Sequence, residues 1–484
     1  MTHATVSIDS GQRRHTPAPI PRRVWGIAAV VTFGAFMSGL DASLVNVGLD
    51  TIGHDLHTDL AFTQWISSGY LLALAAALPV SGWASRRMGA GRVWLLALAT
   101  FTVTSGLCAA APTINLLVAF RVLQGLSGGL LVSAGIAILA QCAGREAMGR
   151  VLSITGVPTV LAPALGPTVG AWLLAHLSWP WLFVINVPIG LLGLVLGLRF
   201  VPRGDHGNAA QLDLPALILI VAGLPLLTYG ITEAAQQQSI TAPAVIICLI
   251  GGVTALIAFV LRSLRQTNPL LDLRLYRNRV FTAAACLMLF SSIALFGGQI
   301  VMPLYFQLQQ QRSIIDTGLL LLPFGLGAAA TFPIAGRLTD RYTAGRVSTA
   351  GLVIVTLATI PMALLSIEAN LVLVEALQIL RGIGLAFAGA PVMAAAMSAV
   401  DRHQLDDASA QVNVVARVGG ALGSALMVII LTNRLPANAT GIHAVGPFHT
   451  TFWWLTGASL IACAGAAWLT IEQSRSFHHE RITA

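Results

Sequence analysis

The chain reads as a succession of long apolar stretches separated by short polar loops in which arginine and glycine recur. A helix needs about 20 apolar residues to cross the roughly 30 Å hydrocarbon core of a bilayer. Fourteen stretches meet that length, at about 24–49, 62–84, 92–111, 113–140, 147–175, 181–201, 214–233, 242–262, 280–306, 314–336, 346–366, 371–398, 409–431 and 449–471. An even number of crossings puts both termini on one side. With the N-terminus inside, 22 arginines fall in cytoplasmic tails and loops, Arg312 and Arg434 fall outside, and Arg121, Arg381 and Arg417 lie within spans. That segregation obeys the positive-inside rule, and a misplaced helix would scramble it. The first 23 residues are polar, and the apolar run after Arg23 is too long for a secretory signal and has no small-residue cleavage site. The expectation is a multi-pass protein of the bacterial cytoplasmic membrane with both termini cytoplasmic.

Composition excludes other classes. Hydrophobic residues make up 56% of the 484 and charged residues 10%, against roughly 25% charged in soluble domains. All 27 basic residues are arginine. Without lysine there is no P-loop to grip nucleotide phosphates and no Schiff-base nucleophile. The net charge of +8 comes from arginines scattered at membrane edges, whereas a nucleic-acid partner would call for a basic stripe. The five cysteines stand singly, so neither a disulfide framework nor a metal site is indicated. No nucleophile–base constellation occurs at membrane depth, so an enzyme is not expected.

An internal repeat organises the spans. Residues 82–93 read G-W-A-S-R-R-M-G-A-G-R-V and residues 336–347 read G-R-L-T-D-R-Y-T-A-G-R-V, at an offset of 254. Gly82, Arg87 and Arg92 match Gly336, Arg341 and Arg346; Gly89 is unmatched, and Arg86 stands where the second copy has Asp340. A weaker echo pairs R-V-L-Q-G-L at 121–126 with Q-I-L-R-G-I at 378–383. The fold class that follows is an all-α integral membrane protein. It would comprise a cytoplasmic tail (1–23), a six-helix bundle (24–201), an insert with two helices and a cytoplasmic linker (202–279), a second six-helix bundle (280–471) and a tail (472–484). Parallel repeats with a site between them are transporter architecture.

Few ionisable groups sit deep in the spans. Asp41 and Arg121 each lie about eight residues from the outer end of the first and fourth helices, which is roughly 12 Å of depth. A facing pair could simply join two helices, or the carboxylate could take up and release a proton. Arg381 is the rough counterpart of Arg121, and Glu375 lies further out on the same helix as a second protonatable or an interfacial group. Arg417 is placed near the cytoplasmic end of its span, its head reaching for the interface. Pro158, Pro163 and Pro167 in the fifth helix suit a bend, and Gly166 and Gly170 a close helix contact. Gln64, Trp65, Tyr70, Gln299 and Tyr305 are either belt residues or the wall of a cavity for a flat lipophilic molecule.

These motifs resemble the major facilitator superfamily, and within it the fourteen-helix drug:proton antiporters. The likeness runs from L-D-A-S-L-V-N-V-G-L at 40–49, with Asp41 and Asn46, through T-Q-W-I-S-S-G-Y-L-L at 63–72. It continues in R-V-L-Q-G-L-S-G-G at 121–129, with Gln124 and Gly125, and A-L-G-P-T-V-G-A-W-L at 164–173, and ends in W-P-W-L-F-V-I-N-V-P-I-G at 179–190, with Asn186. The resemblance implies a major facilitator fold and export of lipophilic compounds in exchange for protons. Asp41 and Arg121 would couple the proton, protons would be the coupling ion, and no organic cofactor or metal is implied. Membrane lipid would surround the protein, and an adaptor of a tripartite efflux system is a conceivable partner. Arg86 departs from the family pattern, which has an acid there, so the first-half gate would lack its usual carboxylate. A carrier of one metabolite on the same fold, and a membrane sensor or scaffold, remain open alternatives.

Overall fold

In a computed structural model, the structure describes residues 20–483 except 59, 205–212, 237–241, 268, 313, 366–369 and 436–444. Most of the N-terminal tail therefore lies outside the described residues. The rest is helical, with no strand among the described residues. The first bundle contains α1 (Arg22–Asp55), α2 (Trp65–Met88), α3 (Ala90–Ala109), α4 (Ile114–Gly144), α5 (145–176) and α6 (Trp181–Phe200). The insert contributes α7 (Leu214–Gln236) and α8 (Pro243–Arg265). The second bundle is α9 (Arg279–Leu304), α10 (Ile314–Arg341), α11 (Ala344–Met362), α12 (Leu371–Ser398), α13 (Leu405–Thr432) and α14 (Val445–Thr483). Thirteen of these are long and apolar enough to cross a membrane, and α5 completes the set. Val195, Ile218 and Ile247 stand out from the surface, an arrangement that suits lipid and not water.

The chain runs helically from Ile114 to His176 through the fifth-helix prolines; the one non-helical residue is Gly144, at φ 67°. That left-handed backbone is open to glycine at little cost, and it separates α4 from α5. Gly89, at φ 86°, makes the equivalent tight turn between α2 and α3.

Helices in a bilayer associate by close packing of small residues, because lipid is as apolar as leucine. Gly166 meets Ser43 and Gly170 meets Leu44 across α1 and α5, while Gly125 of α4 lies against the Tyr70 carbonyl of α2. The second bundle repeats the pattern with Gly419 and Gly423 of α13 on α9 and Gly382 of α12 on α10. Between the bundles, α5 packs on α10 and α2 on α13. The insert helix α7 lies over the α2–α13 seam and touches both, its Ala216 and Ile220 sharing an apolar cluster with Ala410.

Candidate transport site

Asp41 and Arg121 meet in the interior of the first bundle, both fully buried, with Arg121 Nη1 at 2.5 Å from Asp41 Oδ2. The other carboxylate oxygen accepts from Asn186 Nδ2 at 2.7 Å and Gln124 Nε2 at 3.1 Å. Gln124 stands one turn along α4 from Arg121, so its Oε1 accepts from Arg121 Nη1 at 2.7 Å while its Nε2 also donates to Ser105 at 2.9 Å. Arg121 Nε donates to the Ile66 carbonyl at 3.1 Å, and its guanidinium lies 4.2 Å from the Tyr70 ring centre. Ser38 and the Tyr70 hydroxyl are 2.8 Å apart. Five helices, α1, α2, α3, α4 and α6, thus share one network, in which α4 and α6 hold the α1 carboxylate directly and α2 and α3 hold its partners. A change in its charge alters contacts in all of them, because charged hydrogen bonds are the strong ones and a lone buried charge is costly. Arg121 Nη2 and Asn186 Oδ1 are buried without a hydrogen-bond partner.

Other candidate residues fall elsewhere. Asn46 is exposed and accepts from Ser67 at 2.5 Å, away from Asp41. Gln64 and Trp65 are exposed at the start of α2, and Trp65 stacks on Tyr229 of α7 with ring centres 5.7 Å apart. Tyr305 is not a cavity wall: it is 1% exposed, within an aromatic core with Phe306, Phe448 and Phe452. Gln299 is exposed and Glu375 half-buried near the start of α12. The side chain of Pro167 lies outside the described residues. Arg417 does not sit at a helix end. α13 begins at Leu405, so Arg417 lies about 18 Å along it, within electrostatic reach of Tyr70 in the other bundle. The polar first turns of α13 look like loop in the sequence, which displaced the expected start.

The hydrogen bonds and ion pairs that join the bundles cluster at the arginine-rich end. Arg86, at the end of α2, pairs with Asp407 at the start of α13 and donates to the Leu270 carbonyl at 3.0 Å. In the second copy Asp340, at the end of α10, accepts from Arg150 Nε at 2.6 Å and from the Gly149 backbone at 2.8 Å, at the start of α5. The first-half gate therefore keeps a carboxylate contact, with the charges exchanged between bundles. Gly82 lies against Asp407 and Gly336 against Gly149 and Ser153, leaving room for both latches. Arg87 stacks near Trp83, Arg92 donates to the Met88 carbonyl, Arg341 lies by Tyr342, and Arg346 is exposed. Ser409 Oγ adds a bond to the Ser133 carbonyl at 2.9 Å, so this end is shut.

Two repeated bundles latched together at one end, the first of them holding a buried charge cluster, define a membrane carrier of the alternating-access type. The chain belongs to the Major Facilitator Superfamily, whose family model matches residues 31–424; it is a transporter and not an enzyme. It is 34% identical over 426 residues to the Multidrug resistance protein B homolog of Mycobacterium tuberculosis, covering 87% of this chain and 79% of that one. It is 30% identical to the Methylenomycin A resistance protein of Streptomyces coelicolor, covering 96% and 93%. Among solved structures it is similar to the proton:xylose symporter XylE, with TM-score 0.61 at 14% identity over 90% of this chain and 95% of that one.

Proposed function

We propose that this transporter exports lipophilic drugs or toxic compounds across the bacterial cytoplasmic membrane in exchange for protons, with both termini in the cytoplasm. The observation that carries the reading is Asp41, a fully buried carboxylate held by Arg121, Gln124 and Asn186. The names of the two relatives, one for multidrug and one for antibiotic resistance, support the direction and the kind of cargo.

In this reading a proton arriving from outside neutralises Asp41 and removes the anion that Arg121 faces. Arg121 then holds to Gln124, the Ile66 carbonyl and the Tyr70 ring. Tyr70 carries the change to α2, which packs on α13 of the second bundle. The two latches open, the inward-facing state takes up cargo, and the departing proton returns the carrier to the closed state. One charge moving through 100 mV is worth about 2.3 kcal/mol, and one pH unit adds about 1.4 kcal/mol per proton. Together these sustain a cargo gradient of a few hundredfold for one proton.

The test is proton movement in liposomes holding a pH-sensitive dye, with a panel of lipophilic compounds added to wild type and Asp41→Asn. Cargo-triggered proton flux in wild type and its absence in a folded variant is the expected result. Normal uphill export by the variant removes Asp41 from the coupling.

A further inference from the structure

Two positive charges at membrane depth have no place in the proton cycle. The first is Arg417. Eleven residues separate it from Asp406, so the two share a face of α13, roughly three turns apart. That face looks at the first bundle, where Asp406 approaches Gln141 at 3.5 Å and Ser409 bonds to Ser133. Arg417 is half-buried on this side of α13, in the seam between the bundles.

The second is Arg381. At the 257-residue offset of the fourth-helix echo, Arg121 and Gln124 correspond to Gln378 and Arg381, the arginine and amide having exchanged places. Arg381 Nη1 donates to Gln378 Oε1 at 3.0 Å, mirroring the first bundle. At the same offset Asp41 corresponds to Gly298, and the Arg381 guanidinium lies against Gly298. Where the first bundle has a carboxylate, the second has bare glycine. Arg381 is 5% exposed and its Nε has no hydrogen-bond partner. No carboxylate forms an ion pair with either arginine among the described residues.

The balance at membrane depth is therefore positive: Asp41 cancels Arg121, and Arg381 and Arg417 remain. A guanidinium keeps its proton, and it is costly to hold uncompensated in a low-dielectric interior. A cationic cargo would add to that cost, whereas an anion would relieve it.

We propose that the cargo is an organic anion, a carboxylate or similar planar oxyanion on an apolar body, and that Arg417 receives its charged group in the seam between the bundles. The guanidinium fork matches a carboxylate in bidentate fashion, and Arg381 adds a second uncompensated positive charge within the second bundle. Val414 and Ala421, one turn to either side of Arg417 on the same part of α13, offer apolar contact to the body. This deepens the export reading and rests on it.

The probes are 2-naphthoate, 2-naphthamide and 2-naphthylmethylammonium, one ring system carrying negative, zero and positive charge. Binding to the purified full chain in nanodiscs is measured by titration calorimetry. The expected result is naphthoate binding at least about tenfold tighter than the other two, with that advantage lost in Arg417→Gln and partly kept in Arg417→Lys. Melting temperature shows that both variants fold. Equal or tighter binding of the cation, wild-type naphthoate affinity in a folded Arg417→Gln, or no binding by any probe overturns the proposal. Flux separates it from the export reading. Naphthoate flux that needs Arg417 yet moves no protons refutes proton exchange and leaves the anion site standing; proton-coupled export of the cation in preference to naphthoate by wild type does the reverse.

Discussion

The exchanged latches allow a quantitative test. Arg86 is 26% exposed at its side chain and Asp407 only 7%, between the exposed and buried regimes of ion pairs. Breaking an exposed pair costs about 0.2–1 kcal/mol, whereas stranding one partner of a buried pair costs about 3–5 kcal/mol. For Arg86→Ala we take about 2 kcal/mol, borne by the closed state alone, which weakens closure roughly 30-fold. Ser133, fully buried beneath Ser409, reports closure when replaced by cysteine and labelled with a membrane-impermeant maleimide from the arginine-rich side, with the parent chain as background. Labelling should accelerate up to that factor in Arg86→Ala and Asp407→Ala. The reversed pair, Arg86→Asp with Asp407→Arg, should restore most of the protection, because the second latch already works with the charges that way round. Unchanged labelling in the single variants, or a reversed pair no better than they are, refutes the latch.

Further outcomes follow from packing. Gly166→Ala drives a methyl into Ser43 and should lower stability by about 1–3 kcal/mol, whereas Gly457, with nothing within 4 Å, should accept alanine without loss; thermal melting in detergent compares them. Gly298→Ala pushes the Arg381 guanidinium aside and should melt below wild type by less than Gly166→Ala, because the end of a long side chain can yield, and Arg381→Gln in the same chain should relieve that loss. The Trp65–Tyr229 stack should show a coupling of about 0.5–1.5 kcal/mol in a double-mutant cycle on thermal stability, since it ties the insert to α2.

The span pattern was readable because apolar length is a direct demand of the bilayer, and matched depth was enough to single out Asp41 and Arg121. What surrounds them was harder to read. Asn186 entered only through resemblance, and Ser105 went unnoticed, because a lone polar residue in an apolar helix does not announce which way it points. As a sequence position Tyr70 fits a belt or a cavity wall equally, yet its ring lies against Arg121 and its hydroxyl reaches Ser38. The partners of Arg86 and Asp340 lie 321 and 190 residues away, and no local periodicity connects them. Arg86 looked like a defect in the gate when seen alone; with Asp407 in view it is half of an exchanged pair. Asp406, Asp407 and Gln411 made the start of α13 resemble a loop, and so Arg417 was placed too near the membrane edge.

The central claim is that the charge on Asp41 couples cargo to protons, and the most direct measurement is cargo exchange by purified protein in liposomes with and without a pH gradient. Wild type should accumulate cargo against its gradient when protons run down theirs. Asp41→Asn, folded and inserted, should still exchange cargo passively but should not respond to the pH gradient. Accumulation by Asp41→Asn at the wild-type level would contradict the account.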